Sequence, residues 1–218
     1  MVRITSLMSV AATLGLASVL AAPLLAAGGS SILGKNLVTN GDAESGPGAA
    51  SDVKVSSIPD WTVSGGFDVI QYGASGGFPD ANSPGPTDRG KNFFYGGPGS
   101  TRSTAVQSIS LSAAKTDISA GTIDYTFSAY LGGFGNQTDN AILTADFKGA
   151  SGSVLKHVVL GPVTPADRNN VTGLVARSTT GKVPMGSRSV SLKLVLTRYD
   201  GGDNDGSADN ISLILNKK

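Results

Sequence analysis

The stretch TIDYTFSAYL, residues 122–131, alternates without a break: Ile123, Tyr125, Phe127, Ala129 and Leu131 fall on one side, and Asp124, Thr126, Ser128 and Tyr130 on the other. A period of two is the signature of a strand buried on one face only. The pattern returns in AILTADF (141–147), through Ala141, Leu143, Ala145 and Phe147, and in SVSLKLVLTR (189–198), through Val190, Leu192, Leu194 and Leu196. Shorter candidates are Asn36 to Thr39, Trp61 to Val63, Phe67 to Tyr72, Asn92 to Tyr95, Thr104 to Leu111, Val154 to Leu160, Gly173 to Ser178 and Asp209 to Leu215. Between them stand turn-forming clusters such as Gly76-Gly77-Phe78-Pro79-Asp80, Gly96-Gly97-Pro98-Gly99 and the Asp/Gly run from Asp200 to Gly206. Many short strands, abundant turns and no amphipathic helix predict an all-β fold, an antiparallel two-sheet β-sandwich. The segment Thr164 to Asn170 has room for one helical turn.

The composition agrees and narrows the chemistry. Thirty glycines and 15% charged residues disfavour long helices. Lys+Arg 17 against Asp+Glu 16, with no basic run, gives no footprint for nucleic acid. Cys 0 excludes disulfides, thiolate metal sites and a cysteine nucleophile, and one histidine, His157, leaves little for a catalytic triad. P-loop and dinucleotide signatures are missing, so the expectation is a protein that is not an enzyme. His157 lies in an apolar run and reads as a strand residue.

After Arg3, residues 4–27 are uncharged and mostly apolar and end on small residues, which reads as a signal peptide over residues 1–27. Ala21 is an alternative cleavage point, and the stretch is also long enough for an uncleaved anchor. Without Arg3 the basic and acidic counts become equal (17 − 1 = 16 against 16), so the exported chain is neutral. Residues 28–218, about 190 in number, suit one domain. The expected location is secreted, extracellular or periplasmic, with no membrane partner after cleavage.

The two ends of this domain carry the more specific phrases: Asn36-Leu37-Val38-Thr39-Asn40-Gly41-Asp42-Ala43-Glu44-Ser45-Gly46 with Ile58-Pro59-Asp60-Trp61, and Asn204-Asp205-Gly206-Ser207-Ala208-Asp209-Asn210-Ile211-Ser212-Leu213. Together with Gly161-Pro162-Val163-Thr164 and Gly181-Lys182-Val183-Pro184, the chain resembles the galactose-binding-like jelly rolls of exported bacterial proteins, a group that includes many carbohydrate-binding modules. The resemblance implies a structural Ca²⁺ where the first and last strands meet, held by Glu44 and Asp209, with Asp42 as a lesser ligand. A hard cation needing six to eight oxygens would tie together the ends of a domain that has no disulfide. The Asp203-x-Asp205-Gly206 spacing fails as an EF-hand, because the first and twelfth positions would be Gly201 and Ser212.

The resemblance further implies a polysaccharide or glycoconjugate partner. Sugar rings bury their apolar C–H faces against aromatic side chains. Trp61, heading a strand, reads as core, whereas Tyr72, Phe78, Tyr95, Phe134 and Tyr199 stand beside Gly-rich turns and are the candidate contacts. A structural or adhesive surface protein with no small-ligand site is the alternative reading.

Overall fold

The computed structural model describes residues 1–2 and 31–218, so all but the first two residues of the expected leader lie outside the described residues. Ten strands follow in order: β1 (Thr62–Ser64), β2 (Asp68–Gln71), β3 (Asn92–Gly97), β4 (Arg102–Ser110), β5 (Ile123–Gly133), β6 (Asn140–Lys148), β7 (Val154–Leu160), β8 (Gly173–Lys182), β9 (Ser189–Thr197) and β10 (Asn204–Lys217). They make two antiparallel sheets, ordered β1-β4-β9-β6-β7 and β2-β3-β10-β5-β8. The fold is the expected all-β sandwich of jelly-roll type.

The alternating positions meet between the sheets. Val190, Leu192, Leu194 and Leu196 of β9, Ala141, Leu143, Ala145 and Phe147 of β6, and Ile123, Tyr125, Phe127 and Leu131 of β5 are all buried in one core. Each fully buried aliphatic or aromatic side chain contributes about 1.5–3 kcal/mol, so these three strands supply much of the drive to fold. Trp61 joins them, edge-on to Phe94 at 5.7 Å, and its indole N–H donates to the Asn40 carbonyl at 2.9 Å. That bond ties the opening segment to the core.

Three local expectations change. A short helical segment, the 3₁₀ turn Ser112–Ala114 running into α1 (Lys115–Ser119), closes the core with Ala114 and Ile118. Its apolar pair is too short a signal for periodicity to reveal. Asn36 to Thr39 forms only an isolated bridge, Asn36 to Ile214, because the Asn36 side chain takes over the pairing. Its Oδ1 accepts from Val38 N (3.1 Å) and Leu213 N (3.0 Å), and its Nδ2 donates to the Ile211 carbonyl (3.1 Å). The turn read between Asp200 and Asp209 is shorter than expected, because β10 already begins at Asn204, whose buried amide donates to the Leu196 carbonyl at 2.9 Å.

β10 is the centre of the second sheet and carries a bulge between Asp209 and Ser212, with Asn210 at φ 47°. Gly41 lies against it: the Ile211 amide donates to the Gly41 carbonyl at 2.8 Å. A β-carbon on Gly41 would stand 2.2 Å from the Ile211 carbonyl oxygen. Gly41→Ala must therefore push the two backbones apart, with an expected loss of about 1–3 kcal/mol, to be checked by urea unfolding; a stability equal to the parent's would mean that this close approach is not tight in solution.

Candidate functional site

The loop after β2 folds back over the outer face of the second sheet. Ile70, Phe93 and Tyr95 form a small apolar cluster there, with Tyr72 and Phe78 packed onto it. The Tyr72 and Phe93 rings lie 4.8 Å apart, and Phe78 meets Tyr95 at 4.9 Å and 87°. Phe134 reaches the same place and lines a small hollow with Phe78, Tyr95 and Asp205. Four of the five candidate sugar contacts thus come together, but as a second core. Tyr95 stands inside β3 rather than in a loop and is 2% exposed. Alternation accounts for this: Phe94 points into the sandwich, so its neighbours Phe93 and Tyr95 point outward and need a cover.

Tyr199 is different. It is 66% exposed. It lines a trough of about 370 Å³ together with Thr138, Asn140, Pro162, Val163, Thr164 and Pro165. The backbone beneath is held by Asp139, which is fully buried. Asp139 Oδ1 accepts from Tyr199 N (2.5 Å) and Asp200 N (2.8 Å), and its Oδ2 accepts from Asp205 N (3.0 Å). Asp200 in turn accepts from both the amide and the hydroxyl of Thr138 at 2.6 Å. The mostly apolar trough therefore sits on a rigid polar frame. In the sequence Asp139 is legible as one possible polar partner of a bound sugar, but a single carboxylate in a Thr-Asp-Asn phrase carries no spacing signal for this framing role.

Arg168, part of an Asp167-Arg168 phrase that the sequence shares with the exported jelly rolls it resembles, braces the neighbouring loop. It is 1% exposed, and its guanidinium donates to the carbonyls of Gly135 (2.8 Å), Val171 (2.6 Å) and Gln137 (3.1 Å), tying the 133–139 loop to the 3₁₀ turn Ala166–Arg168. His157 is a strand residue, as expected, and its Nδ1 meets Asp146 Oδ1 across the β6–β7 pair at 2.5 Å on the surface.

The chain ends do lie together. Gly34 N donates to the Leu215 carbonyl (2.8 Å) and Leu37 N to the Leu213 carbonyl (2.9 Å). Asp209 is fully buried in β10; Tyr72 Oη donates to its Oδ2 at 2.6 Å and Asn210 N to its Oδ1 at 2.7 Å. Desolvation pushes the Asp209 carboxyl up to about 8, and the nearby charges of Asp42 and Glu44 add to that rise. Glu44 Oε1 accepts from the amides of Lys91 (2.8 Å) and Asn92 (2.7 Å), and Asp42 is exposed. Among the described residues no group of three or more His, Cys, Asp or Glu side chains is placed to hold a metal by itself. Beside this junction an open groove of about 530 Å³ is lined by Asp42, Asp88, Ser128, Tyr130, Asn210 and Ser212, among others.

No protein-family model matches the chain, and no curated protein sequence matches it. Solved structures with a similar arrangement include the enzymatically active domain of tailspike protein 4 from bacteriophage CBA120, at 13% identity and TM-score 0.49, over 83% of this chain and 21% of that one. A family 16 carbohydrate-binding module is similar at 19% identity and TM-score 0.48, over 82% of this chain and 99% of that one. The CBM22-1 xylan-binding domain from Paenibacillus barcinonensis is similar at 17% identity and TM-score 0.47, over 87% and 99% of the two chains. At these identities, and with TM-scores under 0.5, the likenesses carry no argument about ligand, site or activity.

Asp205 gives the site a measurable pH signature. Desolvation, then the charges of Asp139, Asp203 and Asp52, push its carboxyl up from 3.8 to about 7, against a smaller opposing pull from Arg168. Between pH 4 and 7 the folded chain then binds more protons than the unfolded one, so this contribution is complete at low pH and is lost as pH rises through 7. In chelator-treated protein the melting temperature is expected to fall across that window, and Asp205→Asn to flatten the fall. An unchanged slope in the variant would show that Asp205 titrates normally.

Proposed function

We propose that this chain is an exported, non-catalytic binding module that holds a polysaccharide or glycoconjugate by stacking a sugar ring on Tyr199. The observation that carries the reading is an exposed Tyr199 lining a trough with Pro162 and Pro165 on a hydrogen-bonded backbone frame. A pyranose presents an apolar C–H face and an equatorial rim of hydroxyls. The trough offers an aromatic and aliphatic floor for the face, and Thr138, Asn140 and Thr164 for the rim. Because Asp139 and Asp200 order the loop beforehand, little freedom is lost on binding. Tyr72, Phe78, Tyr95 and Phe134 act as support for the sheet rather than as platforms. The leader expected over residues 1–27 supports export.

A structural Ca²⁺ at the chain-end junction is part of the same proposal. Asp209 is a buried carboxylate whose two hydrogen bonds come from neutral donors, and Glu44 and Asp42 add negative charge nearby. That donor chemistry suits a hard cation, with backbone carbonyls completing a shell that the side chains alone do not fill. The ion would favour the charged form of Asp209 and brace the first and last segments together.

Two measurements test these points. Tyr199→Ala is expected to weaken binding to a responsive glycan on an array about tenfold, or about 1.4 kcal/mol, with no change in melting temperature; full binding by the variant removes the trough from consideration. Removing Ca²⁺ with chelator is expected to lower the melting temperature by about 5–10 °C, the shift for a ligand present at a hundred times its Kd in a domain of this size. An unchanged melting temperature, or an Asp209→Ala variant still stabilised fully by Ca²⁺, counts against the ion.

A further inference from the structure

A separate groove of about 510 Å³ opens on the side of the 71–90 loop, lined by Gln71, Tyr72, Ala81, Arg89, Gly90 and Lys91. Its charge sets it apart. The junction groove is lined by Asp42 and Asp88 with no Lys or Arg, and the Tyr199 trough has no charged lining residue. Here both charged side chains are cations and no carboxylate lines the wall.

Arg89 is held in place by backbone carbonyls, with the Asp80 carboxylate near enough to attract it but not bonded to it. Its Nε donates to the Pro86 carbonyl (2.9 Å), its Nη2 to the Ser83 carbonyl (3.1 Å) and its Nη1 to the Asp80 carbonyl. A guanidinium has five N–H donors, so these three bonds leave about two for a ligand, one on each terminal nitrogen. The cation also lies 5.1 Å from the centre of the Tyr72 ring, which is itself packed on Phe93 and tied through its hydroxyl to Asp209. The neighbouring Asp80 carboxylate is engaged by Asn82 N, Ser83 N and Ser83 Oγ, each at 2.9 Å. Lys91 is exposed; Glu44 takes its backbone amide rather than its ammonium. Among the described residues neither cation forms an ion pair with a carboxylate.

A fixed planar fork beside a mobile ammonium suits a carboxylate: the fork sets its orientation and the lysine adds charge. We propose that this groove binds the carboxylate of an acidic saccharide, a hexuronate unit within a glycan chain. The sugar part of this inference rests on the carbohydrate reading above, whereas the carboxylate part rests on Arg89 and Lys91 alone.

The test is calorimetric titration of the full chain with an oligogalacturonate and with its fully methyl-esterified form, which keeps the skeleton and removes the charge. The acid form is expected to bind at least tenfold tighter, to weaken as salt is raised, and to lose most of that advantage in Lys91→Gln, whose substitution is exposed and leaves the fold intact. Tyr199→Ala is expected to keep the acid preference. Equal binding of acid and ester, or a folded Lys91→Gln with the parent's preference, overturns the proposal. So does equal competition by polyglutamate, which would make the groove a general acidic-polymer surface. Binding of the acid form alone, with no neutral glycan bound anywhere, would defeat the Tyr199 reading and leave this one standing.

Discussion

The bulge in β10 is the point on which the rest of the structure depends. There the ladder skips between Asp209 and Ser212, Asn210 turns through a left-handed conformation, and the freed backbone of Ile211 is taken up by Gly41 and by the Asn36 side chain. Unpaired backbone groups in a buried sheet are costly. The opening segment satisfies them without forming a regular strand. In doing so it brings Asp42 and Glu44 close to Asp209, covers one flank of the core through Asn40 and Trp61, and walls the junction groove. In a chain without disulfides this stitch, with the Gly34–Leu215 and Leu37–Leu213 backbone bonds beside it, holds the opening segment to the last strand.

Burial of charge divides the molecule into two regions. At the junction, burial of Asp209 pushes its carboxyl well above the ordinary range, with the charges of Asp42 and Glu44 adding to the rise, against the lowering effect of its hydrogen bonds from Tyr72 and Asn210. Around the start of β10, Asp139 and Asp205 do related work with a different balance: Asp139 organises three backbone amides, while Asp205 carries the cost of its own burial and, after that, of the charge of Asp139. Both arrangements exchange stability for rigidity of an adjoining surface. The Tyr199 trough is the surface that Asp139 stiffens, and the Arg89 platform is reached from Asp209 through the Tyr72 hydroxyl.

Much of the fold was legible in the sequence because its strands are half-buried and alternate. TIDYTFSAYL, AILTADF and SVSLKLVLTR each become a strand with the expected residues inside, and Trp61 is core. What failed to show was anything held by side chains acting as backbone. Asn36 stands in for a strand, Asn204 starts one early, and the Ala114/Ile118 turn is shorter than any period that could reveal it. The aromatics illustrate the same limit. Tyr72, Phe78, Tyr95, Phe134 and Tyr199 have similar Gly-rich neighbours, yet the first four pack together and only Tyr199 stands free.

Composition and periodicity by themselves determined the class of fold and the exclusion of cysteine chemistry, whereas the meeting of the chain's two ends was implied only by the resemblance that their motifs carry. These follow from local rules: alternation places a residue on one face of a strand, and turn residues set where strands stop. Exposure was decided only in three dimensions, because it depends on which distant segment covers a given face. The 71–90 loop falls on Phe93 and Tyr95, while nothing described covers Tyr199. Charge was decided the same way: a chain with a net charge of only +1 gathers Asp42 and Asp88 in one groove and Arg89 and Lys91 in another, since sequence counts charges and folding alone sets their neighbours.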